Sequence, residues 1–137
     1  MKNYFKVTEF YKPIFILPSD VKEKIKKYHF PVLNKIREEL GVPIIISKKS
    51  GYRPKEWELL KGRSGNSEHC YKGKGAVDLT CQTDKLQELW GLLKESSYTR
   101  TCMYVNQHFI HCDFKEVEEK QVFLCLDGKK WERFDSI

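Results

Sequence analysis

The chain has no apolar run of membrane-spanning length, which excludes a transmembrane helix within its 137 residues. Its first ten residues, M-K-N-Y-F-K-V-T-E-F, have no apolar signal core and no small-residue cleavage site, so the expected place of synthesis and first residence is the cytoplasm. No two cysteines stand at C-x-x-C spacing, and their number, five, is odd. That argues against both a disulfide framework and a thiolate zinc cluster, and Cys70, Cys81, Cys102, Cys112 and Cys125 are expected to be reduced. Cys112 and Cys125 fall within apolar alternation and read as small core residues. There is no internal repeat and no low-complexity linker, so residues 1–137 read as one domain, long enough to bury a core without staples.

Positive charge is in surplus. The net charge of +6 and pI near 9.0 favour polyanionic surroundings, nucleic acid or an anionic cell wall among them. The lysines (Lys22, Lys24, Lys26, Lys27, then Lys48 and Lys49) are spread along the chain rather than interleaved with exposed aromatics. They therefore read as a solvated surface, and nucleic acid is not an expected partner.

Residues 3–16 alternate aromatic and polar positions and read as an extended lead-in packed on the domain. Ser19 and Asp20 offer N-cap oxygens to a main helix whose buried stripe is Val21, Ile25, Tyr28, Val32, Leu33, Ile36 and Leu40. Pro31 should kink or split it near Phe30, and Gly41 should end it. Residues 42–47, with Ile44, Ile45 and Ile46 in a row, predict a buried strand leading to Ser50-Gly51-Tyr52-Arg53-Pro54. Residues 55–61 form a short helix carrying Trp57, Leu59 and Leu60, and 62–66 a surface loop. A strand at 76–80 and a helix striped by Leu86, Leu89, Trp90 and Leu93 follow. Two hairpins complete the chain, 100–105 with 109–114 and 121–126 with 130–134. The sum is an α+β fold with a mainly antiparallel sheet and two principal helices.

The chemistry concentrates between Ser67 and Asp78, S-E-H-C-Y-K-G-K-G-A-V-D, and in F-I-H-C-D-F around His111. His69, Asp78 and His111 can together supply two imidazole nitrogens and a carboxylate oxygen to one divalent ion, the donor set of a catalytic zinc site with a fourth position for water. Singly, each has a plainer reading, His69 as a loop histidine and Asp78 as a cap or turn aspartate. Asp78, however, falls inside a strand, where a lone buried carboxylate is costly and a metal would offset that cost. Strand parity puts His111 and Asp113 on one face, with Ile110, Cys112 and Phe114 on the other. Arg53, pinned between Tyr52 and Pro54, is placed to meet a carboxylate or carbonyl; on its own it reads as a surface arginine.

S-G-Y-R-P at 50–54, S-E-H with a glycine turn and A-V-D-L, and then F-I-H-C-D resemble, in that order, the D-alanyl-D-alanine carboxypeptidase family of zinc metallopeptidases. That family includes cell-wall carboxypeptidases, vancomycin-resistance dipeptidases and phage endolysins, and shares its fold with the hedgehog signalling domain. The resemblance implies a hedgehog/DD-peptidase-like fold and one zinc ion held by His69, Asp78 and His111. It implies Arg53 as a catalytic and substrate-anchoring group, Ser67 as a substrate hydrogen-bonding group, and hydrolysis of peptidoglycan stem peptides by a monomer. Release to the wall, as from a phage lysis enzyme, would follow synthesis. An alternative on the same fold is an inactive, zinc-stabilised binding or structural module. Two features depart from the family. The family spaces its histidine and aspartate seven apart, whereas His69 and Asp78 are nine apart, with the turn around Tyr71 to Lys74 lengthened. The basic carboxylate often found three residues before the last histidine is here His108. His108 can act as a base near neutral pH, although unbroken strand parity would point it away from His111. Asp113 is the other candidate, as base or as a group that only orients His111.

Overall fold

The computed structural model describes residues 2–134. Its elements in chain order are helix α1 (Ser19–Lys24), a π-helical turn (Ile25–His29), α2 (Phe30–Leu40), strand β1 (Ile45–Ile46), α3 (Lys55–Leu60), β2 (Ala76–Thr80), α4 (Leu86–Glu95), β3 (Arg100–Tyr104), β4 (Phe109–Asp113), β5 (Gln121–Cys125) and β6 (Glu132–Arg133). The strands form one sheet in the order β1-β2-β4-β3-β5-β6, antiparallel at each pairing except β3 with β5. This is the expected α+β class. The parallel pair was not expected: residues 114–120 carry the chain past β3, so β5 starts on the far side of it instead of continuing a meander.

Pro31 explains the first helical run. Its ring would crowd the carbonyl four residues back and it has no N–H to donate, so the chain widens by one residue and the Phe30 N–H reaches the Ile25 carbonyl. That extra residue turns the buried stripe. Val21, Ile25, His29, Leu33, Ile36 and Leu40 face the core, while Tyr28 and Val32, expected on that stripe, are only half-buried. Ser19 lies already inside α1, with Pro18 at the cap position and no side-chain cap, contrary to the N-cap reading.

Alternation in β2 and β4 sets the layers. Val77, Leu79, Ile110 and Cys112 join Leu33 and Ile36 of α2 and Leu89 and Leu93 of α4 in one core. Phe5 and Phe10 close that core from the lead-in, which contains a short helical turn at Val7–Phe10. The opposite sheet face carries Asp78, His111 and Asp113. Ile44, just before β1, and Ile46 within it are buried but Ile45 points outward, so the expected buried strand is a two-residue edge. In α3, Leu59 and Leu60 are exposed and the buried residue is Glu58. Among the described residues no helix is long and apolar enough to cross a membrane, and all five cysteines are free.

Candidate metal centre

The β2–β4 register puts Asp78 directly opposite His111, so two of the three candidate ligands are cross-strand neighbours. His69 arrives separately on a one-turn helix, Glu68–Cys70, whose N-cap is Ser67; the Ser67 Oγ accepts the His69 N–H at 3.1 Å. Two main-chain bonds fix this turn and the preceding loop to the sheet: Arg53 N–H to the His69 carbonyl at 2.8 Å, and Asp78 N–H to the Ser50 carbonyl at 2.9 Å. Gly51 packs so closely on Phe10 that a Cβ would lie 2.4 Å from the Phe10 carbonyl oxygen. A side chain is excluded there, and the Gly51 carbonyl is free to accept from His69 Nδ1 at 2.7 Å.

The long connection from His69 to Asp78 is tied down along its length. Tyr71 turns the chain at φ 59°, is buried, and donates its hydroxyl to the Ala76 carbonyl at 3.0 Å. Gly75 has φ 93°, and any Cβ would lie 2.1 Å from the Tyr71 ring. From the helical run, Lys24 Nζ donates to the Tyr71 carbonyl at 2.7 Å and His29 Nε2 to the Lys74 carbonyl at 2.9 Å. The longer turn bulges between ligands that remain anchored at both ends.

His69 Nε2, His111 Nδ1 and Asp78 Oδ1 form a small triangle with edges of 3.2 Å between the nitrogens, 3.0 Å from His111 to Asp78 and 3.4 Å from His69 to Asp78. Ligand atoms about 2.0–2.2 Å from a tetrahedral zinc ion stand about 3.3–3.6 Å apart, so the triangle fits such an ion after a shift of a few tenths of an ångström. Protonation agrees. A carbonyl only accepts, so His69 carries its hydrogen on Nδ1 toward Gly51. His111 donates from Nε2 to Asp113 Oδ2 at 2.7 Å. Both histidines therefore present their other nitrogen to the same point beside Asp78.

Three inward lone pairs at this spacing repel unless a cation lies among them. Burial opposes charge on His111, but hydrogen bonds to Asp113 and Asp78 outweigh it and raise its pKa to about 9. Burial would likewise raise Asp78, yet the two histidines hold it well below the usual carboxylate range, while burial lowers His69 despite Asp78. The metal-free chain thus keeps a proton at this point, and a divalent ion is the alternative cation.

Around the triangle lie two networks. Asp113 is fully buried, and Arg100 grips both its oxygens, with Nε at 3.0 Å to each and a second nitrogen at 2.5 Å from Oδ2. Lys115 N–H also donates to Asp113 Oδ1 at 3.1 Å. Asp113 therefore holds the His111 ring, and its oxygens are already engaged. Arg53 reaches Ser50 Oγ at 3.0 Å, Asp78 Oδ2 at 3.4 Å and Glu58 Oε1 at 3.4 Å, while Ser50 Oγ donates to Asp78 Oδ2 at 2.8 Å. The buried Glu58 is shared with Arg63 at 2.6 Å.

A cleft of about 290 Å³ opens beside the triangle and is lined by Arg53, Ser67, His69, Asp78 and His111 together with Trp131. The Trp131 ring lies 5.1 Å from the His111 ring, and its indole N–H donates to the Tyr104 hydroxyl at 2.7 Å. His108 is placed apart from this cleft. It sits in the β3–β4 turn at φ 58°, where strand parity no longer applies, and lines an adjoining cavity that shares Arg53 and Asp78. Ser50, Glu58, Arg100 and Trp131 were not among the site residues read from sequence. The β3–β4 hairpin closes at 105–108 and sets Arg100 opposite Asp113, whereas the shorter turn read from sequence, 106–108, would have set it opposite Phe114.

The peptidase M15 family model matches residues 3–113. The chain belongs to the peptidase M15 family. M15 peptidases are zinc-dependent, and in this M15 chain His69, Asp78 and His111 are the residues that could hold the ion. No curated protein matches the chain at a significant level. The M15 match stops at Asp113, so Lys115 and Trp131 in the site cleft come from beyond it.

Proposed function

We propose that this M15 peptidase hydrolyses peptide bonds in bacterial peptidoglycan stem peptides, with one zinc ion held by His69 Nε2, Asp78 Oδ1 and His111 Nδ1. The observation that carries the proposal is the buried triangle of three inward-facing donor atoms with edges of 3.0–3.4 Å. Zinc bound there supplies Lewis acidity toward a water and toward the scissile carbonyl. The chain's own residues do the rest. Arg53, held by Ser50 and Glu58, keeps a two-pronged donor on the cleft wall, suited to a substrate carbonyl or carboxylate. Ser67, on the same wall, offers a hydroxyl to the substrate backbone while capping the His69 turn. Asp113 fixes the His111 ring and tautomer, which leaves His108, exposed on the wall of the adjoining cavity, as the remaining candidate for proton acceptor, one that must reach the triangle across the shared walls at Arg53 and Asp78.

One observation favours the second reading, a zinc-stabilised binding or structural module. Both oxygens of Asp113 are bound to Arg100, so of the two base candidates only a turn histidine is left free. The deciding experiment incubates zinc-loaded protein with defined muropeptides and identifies products by mass. Cleavage that disappears in His69→Ala and in chelator supports the peptidase. Stoichiometric zinc with intact muropeptides, and no difference between wild type and His108→Ala, would establish the module instead.

A further inference from the structure

The cavity beside the metal centre is larger than the site cleft, about 580 Å³, well inside the roughly 300–1,000 Å³ of small-ligand sites. It joins the cleft through shared walls at Arg53 and Asp78. Its other charged lining is of one sign: Lys12, Lys48, Lys49, Lys61 and Arg63, all exposed and drawn from three stretches of the chain. Asp78 is the one acid on the lining among the described residues, and it is taken up by Ser50, Arg53 and the histidines. Arg63 is paired with Glu58. Among the described residues, none of the four lysines forms an ion pair.

The cations are also positioned. Lys12 and Lys61 lie against the Trp57 ring, 5.4 and 4.7 Å from its centroid, and Phe15 packs edge-on to the same ring at 5.2 Å. Lys48 and Lys49 sit consecutively in left-handed conformations, φ 48° and 54°, which strain a residue with a Cβ. Glycine or asparagine would relax both positions, so the strain is carried where two ammonium groups meet the cavity. Unneutralised cations on a partly aromatic, low-dielectric wall focus a positive field into the cavity.

We infer that this cavity is a subsite for an acidic stretch of the peptide substrate, bearing two or more free carboxylates beyond the bond held at the metal centre. A nucleic-acid backbone would require its charges in a row along a groove, whereas these cations gather around one half-open cavity that adjoins the metal centre at Arg53 and Asp78. The link to turnover rests on the peptidase reading; the charge selectivity of binding does not.

The test measures calorimetric affinity of the zinc-loaded full chain for a synthetic tetrapeptide with two glutamates, its diglutamine counterpart, and a short single-stranded oligonucleotide. The glutamate peptide should bind about tenfold more tightly than the glutamine peptide at low salt, and the gap should close to under about threefold near 0.5 M salt. The variant Lys48→Asn/Lys49→Asn removes two charges and the backbone strain together. It should weaken glutamate-peptide binding about three- to tenfold, leave glutamine-peptide binding unchanged, and not lower the melting temperature. Equal affinity for the two peptides, an unaffected double variant, or an oligonucleotide that outbinds both peptides would overturn the subsite. Hydrolysis of both peptides with charge-blind affinity would sink the subsite and leave the peptidase. Charge-selective binding by a protein that leaves the defined muropeptides intact would support the subsite and sink the peptidase.

Discussion

His29 couples acidity to the integrity of the loop that joins two candidate ligands. It is fully buried between the helical run and the sheet, accepting from the Tyr98 hydroxyl at Nδ1 (2.8 Å) and donating from Nε2 to the Lys74 carbonyl (2.9 Å). Tyr71 and Phe114 pack on its ring, and the titratable groups that act on it are His69 and Asp113. Burial dominates, and its pKa falls from 6.5 to about 4. The unfolded chain therefore binds a proton that the folded chain refuses. Stability from this residue is fully present above pH 6.5, declines as pH falls, and is lost by about pH 4. The span corresponds to about 3 kcal/mol, since each pKa unit is worth about 1.4 kcal/mol. With an m-value of about 1.5 kcal/mol/M, that is about 2 M in urea midpoint. His29→Gln preserves a donor and an acceptor but does not titrate. Urea melts of wild type and His29→Gln between pH 7.5 and 4, subtracted from one another, cancel the other ionisable groups. The difference should fall by about 3 kcal/mol across this window. A flat difference curve would mean that His29 is not buried neutral against Lys74, and would refute the loop anchoring.

Other consequences are testable with the same protein. Adding zinc should raise the melting temperature by about 10–15 °C when free metal exceeds Kd about a thousandfold, and His69→Ala should abolish the shift, as read by scanning calorimetry. Glu58→Gln strips the carboxylate shared by Arg53 and Arg63; because Arg63 can turn into water, the cost should be about 1–3 kcal/mol, with kcat/KM on muropeptides down about tenfold. Gly75→Ala drives a Cβ into the Tyr71 ring at a positive φ and should cost more than about 3 kcal/mol in denaturant melts. Trp131→Ala should leave zinc stoichiometry unchanged while raising KM about tenfold, which separates the cleft wall from the metal centre.

The fold was legible where one period dominated. Alternation in 109–113 put Ile110 and Cys112 on the core face and set His111 and Asp113 together on the other. It failed where a local feature changed the period. Around the π turn before Pro31 the buried stripe runs in steps of four, Ile25, His29 and Leu33, so the polar His29 took the place expected of the apolar Tyr28 and Val32. In α3 the leucines drew attention, yet the buried side chain is an acid whose partners, Arg53 and Arg63, are each five residues away and lie outside the helix. Sequence spacing does not encode that contact; the return of the chain does.

The metal centre shows the same division between local pattern and tertiary closure. Asp78 opposite His111 follows from pairing two strands, but His69 reaches them only because Gly51 lets the Phe10 backbone come close and offers its own carbonyl to the His69 ring. Counted along the chain, the spacing from His69 to Asp78 is two residues longer than in the family. In three dimensions the added length is absorbed outside the triangle. Tyr71 fills the space above Gly75, and Lys24 and His29 take the outward carbonyls, so both ends of the loop are held by bonds that do not depend on its length. Ligand convergence is thus a property of the anchors at Ser50, Gly51 and Arg53. Changes to those anchors should weaken metal binding more than changes of loop length near Lys72 and Gly73, which point outward.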